Sequence, residues 1–229
     1  MEEKKFVHFK KQELGVKEYI KQNLRRGQVS GVKIEYTPVG EKIVIATNKP
    51  GLVIGRGGER INELTNYLKR HFKLENPHIE ILEIINSDLD AQLVADNIAQ
   101  KLESMGPLKF KVIAYSTLQR IMAAGAQGAE IRLGGKLPSD RAKSWRFSAG
   151  YLKKTGDTSK LVNKAMSIAQ TKPGTVGIKV SILAPNIEMP DRITVDEKFI
   201  NKIKENKLKI EESEKKKTKK SKKTKEDSE

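Results

Sequence analysis

Two hydrophobic periods divide the chain: apolar residues three or four apart mark helices, and every-second-residue alternation marks strands. Val16, Ile20 and Leu24 predict a helix over 10–26 that Gly27 ends. Residues 31–37 then alternate, with Val32, Ile34 and Tyr36 on one face and Lys33 and Glu35 on the other. Residues 42–47 form a second strand pattern after a turn at Pro38-Val39-Gly40. A short turn or helix runs from Pro50 to Ile54. Ile61, Leu64, Leu68 and Phe72 predict a helix over 58–73, and a strand follows from Ile79 to Ile85. The order is α-β-β-α-α-β.

A second set of elements follows. Ser87 and Asp90, three residues apart, read as an N-cap pair in which Asp replaces the usual Glu. Ala91, Val94, Ala95, Ile98 and Leu102 line one face of the helix after them. Gly106-Pro107 breaks that helix, and Pro107 suits the first turn of the next, from about 107 to 124. Phe110, Ala114, Leu118, Ile121 and Met122 are its expected buried stripe, with Gly125 as its stop. Four strand patterns remain: Ala129, Ile131 and Leu133; Trp145, Phe147, Ala149 and Tyr151; Val162, Met166 and Ile168; and Val176, Ile178, Val180 and Ile182. Pro173-Gly174 is the expected turn between the last two. The expected class is α+β, with a four-stranded, mostly antiparallel sheet backed by helices in the second half.

Length allows two domains of about 100 residues each, and Gly106-Pro107 is the expected boundary. That gives 1–106, 107–197 and a charged tail, 198–229. Apolar residues thin out from Phe199, and Lys215 to Lys225 can bury no core, so the tail is expected to be disordered when free.

Charge narrows the partner. The formal net charge is +16, which favours a polyanion, nucleic acid ahead of an acidic membrane surface. It is unevenly spread: net +8 over 1–74, −6 over 75–106, +8 over 107–197 and +6 over 198–229. The acidic block is expected to face away from the polyanion, either toward a basic protein or as a solvated helix face. The absence of cysteine excludes disulfides and thiolate metal sites. No apolar run reaches the 18 or so residues of a membrane span, and Met1 to Lys5 lead into no signal-peptide core, so a soluble intracellular protein is expected.

The chemistry concentrates in Val53-Ile54-Gly55-Arg56-Gly57-Gly58, a Gly-x-x-Gly loop that opens a helix and holds an arginine. Glycines without Cβ atoms let a sugar-phosphate backbone come close, and the N–H groups and dipole of the following helix favour its charge. Arg60 stands where a dinucleotide-binding loop needs its third glycine, and Glu59-Arg60 replaces the Lys-Ser/Thr of a nucleotide-triphosphate loop. A plain helix-opening turn is the alternative reading.

The order of elements, with this loop between its second and third helices, resembles a KH domain of the second type. The whole chain, over roughly 5–190, resembles the universal third small-subunit ribosomal protein family. The residues that carry the likeness run from Val53 to Thr65, then Gly125-Ala126-Gln127-Gly128-Ala129-Glu130, Gly135-Lys136-Leu137, Arg141-Ala142-Lys143-Ser144, Thr155-Gly156-Asp157 and Gly177-Ile178-Lys179-Val180. The Arg141 and Thr155 stretches resemble the archaeal and eukaryotic branch, and the short tail the archaeal form. The resemblance implies a non-enzymatic, cytoplasmic constituent of the small-subunit head. It would bind small-subunit rRNA and line the channel where mRNA enters, among neighbouring head proteins and not as a homo-oligomer. No cofactor or metal is implied. Two basic residues of the family face the incoming message; the matching positions here are Lys111 and Val112, so only one is basic, with Lys109 nearby.

The RNA contacts expected are Gly55, Arg56, Gly57 and Gly58 in the loop, and Lys111, Lys136, Arg141, Lys143 and Arg146 in the second domain. Most aromatics fall on apolar faces, so base stacking is not expected, and Trp145 reads as core. His8, His71 and His78 show no metal-ligand pairing, and no catalytic motif is present. Two alternatives stand beside the ribosomal reading: a free KH regulator of mRNA, and a DNA-lesion endonuclease.

Overall fold

The computed structural model describes residues 2–187 except 25, 39, 73 and 75, together with 189 and 203. The expected tail, 198–229, lies outside the described residues apart from Ile203.

The first half follows the predicted order. Helix α1 (Glu2–Asn23) precedes β1 (Val29–Thr37) and β2 (Gly40–Thr47), then α2 (Pro50–Ile54), α3 (Glu59–Phe72) and β3 (His78–Glu83). β2 lies central, antiparallel to β1 and parallel to β3. Val16, Ile20 and Leu24 meet Ile43 and Ile45 of the sheet, Val53 of α2 and Leu68 of α3 in one core. α1 begins eight residues earlier than expected, and its added turns carry exposed Phe6 and Val7. Ile85, placed in β3 by its apolar character, lies beyond the strand and is 93% exposed.

The second core is built from α4 (Ala91–Met105), α5 (Phe110–Ala123) and strands β4 (Gly128–Gly135), β5 (Lys143–Gly150), β6 (Asn163–Thr171) and β7 (Gly174–Leu183). The sheet order is β5-β4-β7-β6, antiparallel throughout, with Thr171 and Gly174 closing the β6–β7 hairpin at Pro173. Both helices cover one face of this sheet.

Four expectations need correction. The Gly106–Pro107 break is a turn inside the second core, because the α4 stripe of Ala91, Val94, Ala95, Ile98 and Leu102 packs with the second sheet rather than the first. Asp90, not Ser87, is the N-cap of α4: its carboxylate accepts from the N–H groups of Gln92 and Leu93, and Ser87–Leu89 form a separate 3-10 turn. β6 is inverted. Met166 and Ile168 point outward, while Ala165 and Ala169 join the core with Ala91, Ala95 and Ala99, small residues that let α4 lie close on this strand. In α5, Thr117 and Ile113 are buried while Met122 is only half-buried. Thr117 tolerates burial because its hydroxyl donates to the Ile113 carbonyl at 2.7 Å.

The two cores are joined through a polar seam along α4. The Asp96 carboxylate, 7% exposed, accepts from Gly27 N–H at 3.2 Å, and Gln100 donates to the Arg26 carbonyl at 2.7 Å. Ser30 donates to Asp90. Arg26 donates to the Ile168 carbonyl at 3.1 Å and lies 3.7 Å from Glu103. Part of the acidic block is therefore used inside the fold: Asp90 and Asp96 hold the seam, while at the surface Glu80 pairs with Lys42 at 2.5 Å and Asp88 faces Arg120 at 3.7 Å. Asp90 and Asp96, the two seam carboxylates, depart from the expected outward face, while Glu80, Glu83 and Glu103 are exposed.

Candidate nucleic-acid interface

The Gly-x-x-Gly loop is a reversal between two helices. Gly55 ends α2 at φ 75°, and Arg56 to Gly58 make one 3-10 turn before α3 begins at Glu59. Gly57 and Gly58 have φ of 60° and 81°, conformations that L side chains rarely adopt. A Cβ on either would meet nothing within 4 Å, so the space above them is open to an outside group. Gly55 differs: a Cβ there would fall 2.9 Å from Cβ of Arg60. The Arg60 guanidinium donates to the Leu52 carbonyl at 3.0 Å, which ties α2 to the start of α3 and fixes the loop. Arg60 is thus a brace, and the absent third glycine has a structural use. Arg56 is exposed and has no ion pair among the described residues.

The second-half cations do not form one cluster. Lys111 sits over the Trp145 ring, 5.1 Å from its centroid, on the helix-covered side of β5. Lys143 is two residues before Trp145 and shares its strand face. Trp145 itself is half-buried against the core, 5.3 Å from Phe110, with its indole N–H donating to the Leu137 carbonyl at 3.3 Å. Leu137 is fully buried and anchors the β4–β5 loop, which carries exposed Lys136 and Arg141. Arg146 points the other way, onto the face that α4 and α5 leave uncovered.

That open face holds cations the sequence reading passed over. Arg132, Lys154, Lys164 and Lys179 surround Glu130, which is only 4% exposed. Glu130 pairs with Arg132 and, at 2.6 Å, with Lys154. Burial pushes its carboxyl up; the Lys154 and Arg132 contacts outweigh that and hold it below the usual 4.5. The alternation of β4 and β7 already set Arg132 and Lys179 opposite the apolar residues, which was the available signal. Tyr36, Tyr115 and Tyr151 are exposed, while Tyr19, Tyr67, Phe72, Phe110, Trp145 and Phe147 are buried or half-buried.

At the start of α5, Val112 is 66% exposed between exposed Leu108 and Tyr115. In the first turn of α5 Lys111 is the one cation, and Lys109 ends the preceding turn. Among the described residues no group of three or more His, Asp or Glu is placed to hold a metal ion. No described helix is long and apolar enough to cross a membrane.

Two family descriptions match: "KH domain" over residues 15–89 and "Ribosomal protein S3, C-terminal domain" over residues 98–182. The chain is 42% identical over 198 residues to the "Small ribosomal subunit protein uS3" of Methanocaldococcus jannaschii, covering 86% of this chain and 94% of that relative. It is 37% identical over 206 residues to the protein of the same name from Methanosphaera stadtmanae, covering 90% and 81%. A fold with a Gly-x-x-Gly reversal in a three-stranded α/β layer, followed by a helix-backed four-stranded sheet, and kinship at this level over most of both chains, lead to one conclusion: the chain belongs to the uS3 family of small ribosomal subunit proteins.

Proposed function

We propose that the chain is a structural constituent of the small-subunit head that binds small-subunit rRNA and lines the channel where mRNA enters, in the cytoplasm. The family is structural rather than enzymatic. The observation that carries the RNA reading is the reversal at Gly57–Gly58, open above both glycines, with exposed Arg56 between the helices it joins. A phosphate placed there meets N–H groups and a fixed charge with no side chain in the way. Gly57 and Gly58 supply the approach, Gly55 the close packing against Arg60 that shapes the loop, and Arg56 the charge. Lys111, Lys136, Arg141, Lys143 and Arg146 supply further phosphate contacts on two sides of the second sheet. At the mRNA channel Lys111 acts without a second cation from Val112, so grip on the message is weaker at this point than two basic residues would give.

The test joins location to contact. The chain should co-sediment with small subunits in stoichiometric amount; predominantly free protein would favour a free mRNA regulator. Arg56→Ala with Lys143→Ala should weaken salt-dependent binding to small-subunit rRNA, each lost charge-assisted contact being worth about 1.5–3 kcal/mol, with unfolding unchanged. Binding by the double variant equal to the parent's at every salt concentration would refute the phosphate contacts.

A further inference from the structure

On the side of the second sheet that no described helix covers, register places three cations in one row. Arg146 is directly opposite Arg132, and Arg132 directly opposite Lys179. The row continues to Met166, 67% exposed, on the edge strand. Neighbouring strands lie about 4.8 Å apart, so the three charges span about 10 Å. Lys154 and Lys164 add to the same face, around a hollow of about 480 Å³ lined also by Glu130.

Like charges directly opposite one another across a sheet are destabilising. Glu130 answers Arg132 and Lys154. Neither Arg146 nor Lys179 has an acidic partner among the described residues. Among the described residues folding therefore gains nothing from this row, and a polyanion would answer it. A small anion can answer one or two of these charges. A nucleic-acid backbone, with a charge at every nucleotide, can answer the whole row, and Met166 at its end offers apolar contact to a sugar.

We infer that the open face of the second sheet is an RNA-backbone docking surface, separate from the Gly-x-x-Gly loop, with Arg146, Arg132 and Lys179 as its phosphate contacts and buried Glu130 as the residue that positions Arg132. The inference rests on the rRNA-binding reading above and assigns it a second surface.

The experiment uses the full chain and in vitro transcribed small-subunit rRNA, with binding measured over a range of KCl concentrations. Arg146→Gln/Lys179→Gln spares both partners of Glu130. It should weaken binding about tenfold or more and lower the steepness of log affinity against log salt by about 1.4–1.8. Lys42→Ala, which removes a cation paired on the other sheet, should leave the steepness unchanged. The free double variant should unfold at the parent's midpoint or above it, since a repulsion has been removed. Parental affinity and steepness in the double variant would overturn the surface alone. So would unchanged RNA binding together with lost assembly into subunits, which would assign the face to a protein neighbour. Absence of salt-dependent binding by the parent would instead overturn the rRNA reading itself, and this surface with it.

Discussion

Gly128→Ala tests how the second sheet is closed. Gly128 is the first residue of β4, and its backbone is one that any residue can adopt, so the cost is purely steric. A Cβ there would lie 2.0 Å from the Tyr151 carbonyl oxygen, 2.4 Å from its carbon and 2.7 Å from its nitrogen. All three are backbone atoms, so no rotamer change relieves the clash. The chain leaving β5 must lift by well over an ångström to reach ordinary contact. Lifting it threatens the hydrogen bond from Tyr151 N–H to the Gln127 carbonyl, 2.9 Å. Overpacking costs about 1–3 kcal/mol and the hydrogen bond about 1 kcal/mol more, so about 2–4 kcal/mol is expected in total. Each kcal/mol shifts the midpoint by about 4–8 °C for a domain of this size. Trp145, the sole tryptophan, stands in the same sheet, so urea unfolding followed by its emission reads this domain. Gly134→Ala is the matched control: same strand, same face, with nothing nearer its Cβ than the Ser144 hydroxyl at 3.5 Å. Equal losses in the two variants would refute the steric account.

Asp96→Ala leaves the Gly27 N–H without its carboxylate acceptor in the seam and should cost about 1–3 kcal/mol, read by urea unfolding; a loss under about 0.5 kcal/mol would mean that the seam carries no strength. Glu130 is held below the usual 4.5 in the folded chain, so its contribution is present above the unfolded value and is lost as pH falls through the folded one. Thermal midpoints of the parent should therefore drop more steeply below about pH 4.5 than those of Glu130→Gln, and parallel profiles would refute the role of its two cations.

Much of the fold was legible because periodicity counts positions and needs no partner. The stripes of α1 and α4 and the inward faces of β4 and β7 are buried as their spacing predicts, as are Leu64 and Leu68 of α3, with Ile61 and Phe72 half-buried. What failed depends on neighbours in space. β6 was inverted because its core side is made of alanines facing α4, and hydrophobicity alone favours the larger Met166 and Ile168. That Asp96 turns inward was not legible because Gly27, whose N–H it accepts from, lies far away in sequence. The loop at Gly55 was readable as a phosphate-compatible reversal, yet the bracing by Arg60 was not, since at that position the same residue reads only as a departure from another motif. The row across the second sheet needed a register, and only pairing supplies one.

The sheet order β5-β4-β7-β6 has a consequence for a chain made from its N-terminus. The first core is complete once β3 has emerged, at Glu83. α4 comes next, with an apolar stripe that has nothing to cover. Among the described residues β7 is the last strand made, and it sits between β4 and β6, so neither neighbour has its full set of partners until Leu183 is available. A nascent chain thus carries one finished layer and about a hundred residues of waiting hydrophobic surface. Stops or truncations short of Leu183 should release proteins whose first half is native and whose second half is prey for chaperones and proteases.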